Sequence, residues 1–170
     1  MMMMTNIDLA SVYSRDGSSS YLNKVQPAPY ATLLLSKLIF NMVIALIGCA
    51  LTVLVFAIES SVSKTDALMI GIMIYCVYLA HLFSSAEKDI MNPQYEQYAT
   101  FNEQTNNPNE TGAGVSAIIM AAVVFALALF FSSRNDPIVW LKLAVIAAIL
   151  AGYKIFTYLS KIKAFYKEKQ

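Results

Sequence analysis

The chain has 170 residues, of which 58% are hydrophobic and 14% are charged, and its formal net charge is +1. Soluble domains carry about 25% charged and roughly 45–50% apolar residues, so this composition predicts a single-domain integral membrane protein. The near-zero net charge, without a basic patch interleaved with aromatic residues, argues against nucleic-acid binding.

The first predicted element is an N-terminal tail over residues 1–30. It lacks the basic start and apolar stretch of a secretory signal. Pro27 and Pro29 break any helix before the first apolar run. The stretch YLNKVQ ahead of these prolines predicts a short segment at the membrane interface, and the alternative is a solvated leader.

Four apolar runs follow, and they predict membrane spans at residues 38–58, 67–83, 115–131 and 138–159. A helix needs roughly 20 apolar residues to cross the hydrocarbon core, and the runs lack the alternation of barrel strands. We therefore expect an all-α integral membrane domain over residues 31–160. The short connections within each pair of spans predict two antiparallel helical hairpins, with Asp136 as N-cap and Pro137 in the first turn of the last helix.

The distribution of Lys and Arg predicts the orientation of the spans. Nine of these residues lie on the side that holds both termini, and three lie on the other side. Because cytoplasmic segments are rich in Lys and Arg, we expect an N-in/C-in arrangement in the plasma membrane. The loop between the second and third spans, residues 85–112, and a basic tail over residues 161–170 would then be cytoplasmic.

This loop contains two Asn–Pro pairs, and the residue before a proline disfavours helical geometry. The pair Asn92–Pro93 predicts the end of the second helix, and Asn107–Pro108 predicts a second interruption. Asn109 is the predicted N-cap of the segment that leads into the third helix.

Three aromatic residues, Tyr95, Tyr98 and Phe101, lie between the two pairs at three-residue spacing. This spacing places them on one face of a short helix. The face would either pack beneath the loop or enter the lipid headgroups, where Tyr is common. The other interpretation is a coupling element that anchors a partner protein, since aromatic residues dominate such interfaces.

Four polar residues lie in or beside the spans: Asn41, His81, Lys142 and Lys154. None lies at a midplane, so we expect the two lysines to snorkel and His81 to lie near a membrane interface. The four predicted spans contain no Asp or Glu, which argues against a proton-coupled secondary transporter.

No catalytic pattern accompanies these residues. The single histidine has no metal-ligand spacing to other residues, and there is no glycine-rich phosphate loop or Gly-x-Ser-x-Gly elbow. Cys49 and Cys76 fall in apolar runs, as small packing residues do. We therefore expect no enzyme activity, no cofactor and no metal in this chain.

The stretches YSRDGSSSYLNKVQPAPYATLLLSKLIFN, DIMNPQ and NPNET together resemble segments of type-2 ATP-binding-cassette exporter permeases. The first, YSRDGSSSYLNKVQPAPYATLLLSKLIFN, is similar to a permease segment that reads Ser-Arg-Glu-Gly, then an aromatic residue, Leu, Lys and a Pro before a membrane helix. The matching positions are Ser14, Arg15, Asp16, Gly17, Tyr21, Leu22, Lys24, Pro27 and Lys37. Asp16 stands where Glu is usual.

The second segment comprises residues 89–94, DIMNPQ, and residues 107–111, NPNET, which resemble the following loop in Gram-positive bacterial members. Gly112 and Gly114 depart from the helix-favouring residues expected there. The resemblance covers about residues 11–165, and such permeases are several hundred residues long with this motif in their carboxy-terminal half. The chain thus resembles that half alone.

The resemblance implies the membrane subunit of an ATP-driven exporter, in the plasma membrane of a bacterium. It implies that a separate ATPase subunit hydrolyses ATP and that a second permease half or a second copy completes the transporter. The residues expected to couple the chain to the ATPase are Arg15, Asp16, Lys24, Glu87, Asp89, Asn92, Pro93, Tyr95, Tyr98 and Phe101. The alternative is a membrane remnant or accessory scaffold that does not transport.

Overall fold

The computed structural model describes residue 3 and residues 6–21, 30–59, 62–98, 107–134 and 136–167. It contains four long helices, α1 (Tyr30–Ile58), α2 (Lys64–Met91), α3 (Pro108–Ser132) and α4 (Val139–Lys167). All four are long and apolar enough to cross a membrane, and the described ranges contain no strand. The prediction of an all-α protein with four candidate membrane spans is confirmed.

The helices extend beyond the apolar runs that predicted them. Helix α2 continues to Met91 and is capped by Asn92, as the Asn92–Pro93 pair predicted. Helix α4 continues through most of the predicted basic tail, to Lys167. An apolar run identifies only the part of a helix that lies in the hydrocarbon core of the membrane. Helical turns outside the core can consist of polar residues, because their backbone hydrogen bonds are the same.

The start of α3 differs from the prediction. Its N-cap is Asn107, not Asn109, and the Asn107 side chain accepts a hydrogen bond from the backbone N–H of Asn109. The donor–acceptor distance is 2.8 Å. Pro108 occupies the first turn, where its missing N–H costs nothing, and it holds Asn107 in the extended conformation that an N-cap requires.

The start of α4 lies later than predicted, because the helix begins at Val139 and both Asp136 and Pro137 precede it. The Asp136 carboxylate accepts a hydrogen bond of 3.1 Å from the N–H of Ile138, and Pro137 lies in the turn before Val139. Lys142 also donates to the Asp136 carboxylate. This hydrogen bond lowers the pKa of Asp136, and it directs the Lys142 side chain back towards the end of the helix.

Helix α2 lies at the centre of the bundle. In its most apolar stretch 56% of the residues are buried, against 6% in α3. One cluster packs Tyr78 and Leu82 of α2 against Leu38 of α1 and Tyr158 of α4. A second cluster packs Met73 and Val77 against the first half of α4.

The outer faces of the helices are apolar and exposed. Phe40 and Val55 of α1, Phe125 of α3, and Ile149 and Phe156 of α4 are each at least 65% exposed. Soluble proteins do not expose apolar surface on this scale. A hydrocarbon environment is the solvent that such faces require.

Helices α1 and α2 approach closely at Gly71. A Cβ atom built on Gly71 would overlap Cγ2 of Val53. Both cysteines of these helices are free thiols, and Cys49 is buried, as expected for packing residues. Small residues at a contact allow two helix backbones to come together in lipid.

The N-terminal segment, defined here as residues 6–16, packs against the bundle. It contains a 3₁₀ turn, Asp8–Ser11, and the start of another, Ser14–Tyr21, which is interrupted at Gly17. Gly17 has a φ of 49°, which only glycine adopts without strain. The predicted interfacial stretch that follows lies mostly outside the described residues.

Candidate functional site

The side chain of Asp89, near the end of α2, holds the N-terminal segment. The carboxylate is fully buried. Its Oδ2 atom accepts hydrogen bonds from the backbone N–H groups of Tyr13 (2.7 Å) and Ser14 (3.0 Å). Its Oδ1 atom accepts one from the Ser14 hydroxyl. These three donors replace the water that a buried carboxylate loses.

Ser14 connects the same site to the polar loop. Its Oγ atom accepts a hydrogen bond of 2.8 Å from the N–H of Gln94. The backbone carbonyl of Asn92 accepts one of 2.8 Å from the side chain of Asn109. The beginning of the loop is therefore fixed to the N-terminal segment and to the first turn of α3.

Further contacts attach the N-terminal segment to α1 and α4. Lys37 forms an ion pair of 2.6 Å with Asp16. The Tyr13 hydroxyl donates to the carbonyl of Leu34 at 3.2 Å and lies 2.6 Å from the Tyr158 hydroxyl. Because the Leu34 carbonyl can only accept, Tyr158 is the donor to Tyr13. Together with Asp89, these contacts join the segment to three of the helices.

Arg15 lies at the outer edge of this region. Its guanidinium is 3.2 Å from Asp8 and 3.7 Å from Glu110, in the first turn of α3. The Arg15 side chain is 49% exposed, and exposed ion pairs contribute little stability. Arg15 is therefore more accessible to a partner than Asp16, whose side chain is only 25% exposed.

Glu87 points to a different face of α2 from Asp89. It forms an ion pair with Lys161 of α4 and accepts a hydrogen bond of 3.4 Å from Thr157. Its side chain is only 13% exposed. Glu87 thus joins α2 to α4 and does not lie with the other predicted coupling residues.

Two of the three aromatic residues of the loop, Tyr95 and Tyr98, begin and end a 3₁₀ turn, Tyr95–Tyr98. Tyr98 donates to Glu110 at 3.1 Å and accepts from Asn107 at 3.3 Å. Burial raises the pKa of Tyr95, and the nearby carboxylates of Asp89 and Asp16 raise it further. The turn therefore lies against the N-terminal segment and the start of α3.

The structure thus brings five of the predicted coupling residues to one end of the bundle. These are Arg15, Asp16, Asp89, Tyr95 and Tyr98. Asn92 is exposed and Pro93 is half-buried beside them, and Glu96 of the same turn is exposed. Lys24 and Phe101 lie outside the described residues. Among the predicted residues with described side chains, Asn92 and Arg15 are the most accessible.

The structure buries His81, which was expected near a membrane interface, completely between α2 and α3. Its Nε2 atom lies 3.0 Å from the carbonyl of Ala113 and 3.3 Å from the hydroxyl of Ser116. Lys88 donates to the Gly112 carbonyl at 2.7 Å and to Ser116 at 3.2 Å. A row of polar side chains on α2 therefore faces α3.

This row was missed in the sequence, although His81, Ser85 and Lys88 follow helical spacing. Such spacing places the three residues on one face, and that signal could have identified the row. The four apolar runs that predicted the spans contain no Asp or Glu. Helix α2 nevertheless extends far enough to bury the carboxylate of Asp89.

Within the part of the chain that the structure describes, no group of His, Cys, Asp and Glu side chains could hold a metal ion. The site at this end of the bundle consists of hydrogen bonds and ion pairs between backbone and side chains. Its arrangement serves to attach one segment to several helices. No protein-family model matches the chain, and no curated protein or solved structure is significantly similar to it.

Proposed function

We propose that the chain is the membrane subunit, or the carboxy-terminal half, of an ATP-driven exporter in a bacterial plasma membrane. The main support for this proposal is that the two segments that resemble exporter permeases contact each other in the folded chain. Ser14 and Asp89 are 75 positions apart and are joined by a backbone hydrogen bond of 3.0 Å. Gln94, in the second segment, binds the Ser14 hydroxyl. The two motifs therefore form one structural unit.

The proposed topology has both termini and the loop of residues 85–112 in the cytoplasm. Tyr78 contacts Asn41 and Gly71 contacts Val53, so α1 and α2 run in opposite directions. Helices α2 and α4 run in the same direction, because Met73 packs near Leu143 and Phe83 packs on Tyr158. These directions support two antiparallel hairpins and four crossings.

The proposed coupling surface is the exposed edge of the unit, formed by Arg15, Asn92 and Glu96. A partner ATPase that binds ATP would press on this edge. The force would reach α2 through Asp89 and α1 through the Asp16–Lys37 pair. A rigid unit joined to several helices can convert such a push into a tilt of the helices, a known class of switching transition.

The proposal requires further helices and a separate source of ATP hydrolysis. Helix α3 buries only 6% of its most apolar stretch, which leaves its surface open to lipid, to a second permease half or to a second copy. The ATPase subunit would carry out hydrolysis, since the sequence predicts no phosphate-binding loop in this chain.

The second candidate function is a membrane scaffold that does not transport. It is favoured by the internal use of the acidic residues, since Asp16, Glu87 and Asp89 all bind partners within the chain. A secondary transporter remains disfavoured. The buried carboxylate of Asp89 is held by backbone N–H groups, as a structural carboxylate is.

Affinity purification distinguishes the two candidates. The tagged chain is extracted in mild detergent from the bacterium that carries it, and an ATP-binding-cassette ATPase is identified by mass spectrometry. We expect the ATPase to co-purify with the wild type and to be lost with Glu96→Lys. Glu59→Lys makes the same charge change at an exposed residue at the other end of α1, and it should retain the ATPase.

Two results would contradict the exporter proposal. One is a wild-type chain that purifies without any such ATPase, which would leave the scaffold as the better explanation. The other is equal recovery of the ATPase with Glu96→Lys and Glu59→Lys, which would place the contact elsewhere. ATP-dependent uptake is then measured in inverted vesicles that contain the purified complex. Uptake distinguishes a complex that transports from one that only binds the ATPase.

A further inference from the structure

Three buried polar side-chain atoms have no hydrogen-bond partner among the described residues: Oδ1 of Asn6, Nδ1 of His81 and Oγ of Ser85. All three residues are fully buried. Buried polar groups in folded proteins are almost always paired. Three such atoms in one region therefore point to a ligand that forms hydrogen bonds.

The three residues belong to one region of the bundle. His81 and Ser85 are four positions apart on α2 and share a face. Asn6 donates a hydrogen bond of 3.3 Å to the carbonyl of Tyr78, one turn earlier on the same helix. The neighbouring Ile7 packs against Gly114 of α3. The N-terminal segment thus covers the polar row between α2 and α3.

The hydrogen bonds of His81 and Asn6 show that Nδ1 of His81 and Oδ1 of Asn6 are hydrogen-bond acceptors. Nε2 of His81 faces the Ala113 carbonyl at 3.0 Å, and a carbonyl can only accept, so Nε2 carries the proton. In a neutral ring Nδ1 is then an acceptor. The Asn6 amide nitrogen faces the Tyr78 carbonyl, so Oδ1 of Asn6 is also an acceptor. The hydroxyl of Ser85 can donate or accept.

The charge nearby selects between the possible ligands. The Lys88 ammonium lies 3.2 Å from the Ser116 hydroxyl, which is itself 3.3 Å from the His81 ring. This positive charge disfavours a second cation, so an ammonium or metal ion is a poor occupant. A neutral molecule with two donor hydrogens and a free lone pair matches two acceptors and one hydroxyl.

We propose that a single ordered water molecule is bound between the N-terminal segment and α2. It donates to Oδ1 of Asn6 and to Nδ1 of His81, and it accepts from the hydroxyl of Ser85. Buried waters typically form about three hydrogen bonds to otherwise unpaired groups. The water joins Asn6 to α2 in the same way that Asp89 joins Tyr13 and Ser14 to it. This site does not depend on the proposed function.

The single histidine of the chain makes the test direct. The protein is labelled with ¹⁵N-histidine, reconstituted in lipid bilayers and studied by solid-state NMR. We expect the Nε2–H tautomer, with a correlation between water protons and Nδ1. The Asn6→Leu variant should lose this correlation. The matched Asn41→Leu variant, which alters an asparagine on α1, should keep it.

Each remaining outcome counts against the site. An Nδ1–H tautomer, or a wild-type ring without a correlation to water, overturns the proposal without any variant. A correlation that persists in Asn6→Leu shows that the water lies elsewhere. If Asn6→Leu fails to insert into the membrane, the wild-type spectrum alone still decides.

Discussion

Replacement of Asp89 should release the N-terminal segment from the bundle without unfolding the helices. In the wild type the N–H groups of Tyr13 and Ser14 lie 2.7 and 3.0 Å from Oδ2 of Asp89. In Asp89→Ala both groups lose this acceptor. Leaving a buried donor unpaired costs about 1–3 kcal/mol, so the two together cost about 2–6 kcal/mol. The segment avoids this cost by detaching, and the effect is therefore local opening.

The Asp89→Asn variant should have a smaller effect, because both N–H groups bind the same carboxylate oxygen. An amide oxygen in that position still accepts both hydrogen bonds. The variant loses the added strength that a charged acceptor gives, about 1–2 kcal/mol for the two. It also loses the hydrogen bond from the Ser14 hydroxyl to Oδ1, because an amide NH2 group in that position cannot accept it. The expected order of segment opening is wild type, then Asp89→Asn, then Asp89→Ala.

Hydrogen exchange followed by mass spectrometry, on the protein in lipid nanodiscs, measures this opening. A loss of about 2 kcal/mol corresponds to a roughly 30-fold larger open population, so amides around Tyr13 and Ser14 should exchange at least that much faster in Asp89→Ala. Asp66→Ala, at the other end of α2, should leave them unchanged. Unchanged exchange in Asp89→Ala, or equal exchange in the Ala and Asn variants, would refute the attachment.

Two further predictions concern the helix contacts and the orientation. Gly71→Ala should destabilise the α1–α2 contact by about 1–3 kcal/mol through overpacking, because the new methyl overlaps Val53. Addition of Val53→Ala to this variant should restore its thermal stability in detergent. Gly152→Ala, whose new methyl meets no atom within 4 Å, should be neutral. In a background without native cysteines, Glu59→Cys should react with an impermeant thiol reagent on intact cells and Glu96→Cys should not; the reverse pattern would invert the topology.

The four spans were predictable because the length and apolarity of a membrane helix are local properties. The end of α2 at Asn92 was predictable for the same reason, since proline acts on its immediate neighbour. The exact cap of α3 was missed because Asn107 and Asn109 are both good N-caps. Only the position of Pro108 in the first turn decides between them.

The attachment of the N-terminal segment could not be predicted from any local pattern. Tyr13 and Ser14 use backbone N–H groups to bind Asp89, 76 and 75 positions away, and every non-proline residue has such a group. The resemblance to exporter permeases identified both segments as notable, but it assigned their acidic residues to a partner protein. In the structure Asp89 binds the first segment instead, while Asp16 pairs with Lys37 of α1 and Glu87 pairs with Lys161 of α4.

The central position of α2 did have a sequence signal. The most apolar stretches of α2 and α4 have mean hydropathies of 1.9 and 1.8, against 2.6 for α1 and α3. A helix surrounded by other helices can carry polar side chains such as His81, whereas a helix that faces lipid cannot. The lower hydropathy therefore separates α2 from α1 and α3, but it does not separate α2 from α4, whose most apolar stretch is only 22% buried.

The burial of Asp89 also determines how a partner could use it. Its carboxylate is fully buried and already binds the segment that covers it, so an ATPase could touch it only after that segment had left. A direct contact would make Asp89→Ala lose the ATPase. An indirect role, through the segment, would leave binding at Asn92 and Glu96 intact while the force no longer reaches α2. Retained ATPase binding with lost transport in Asp89→Ala would therefore assign Asp89 to transmission of the movement and not to docking.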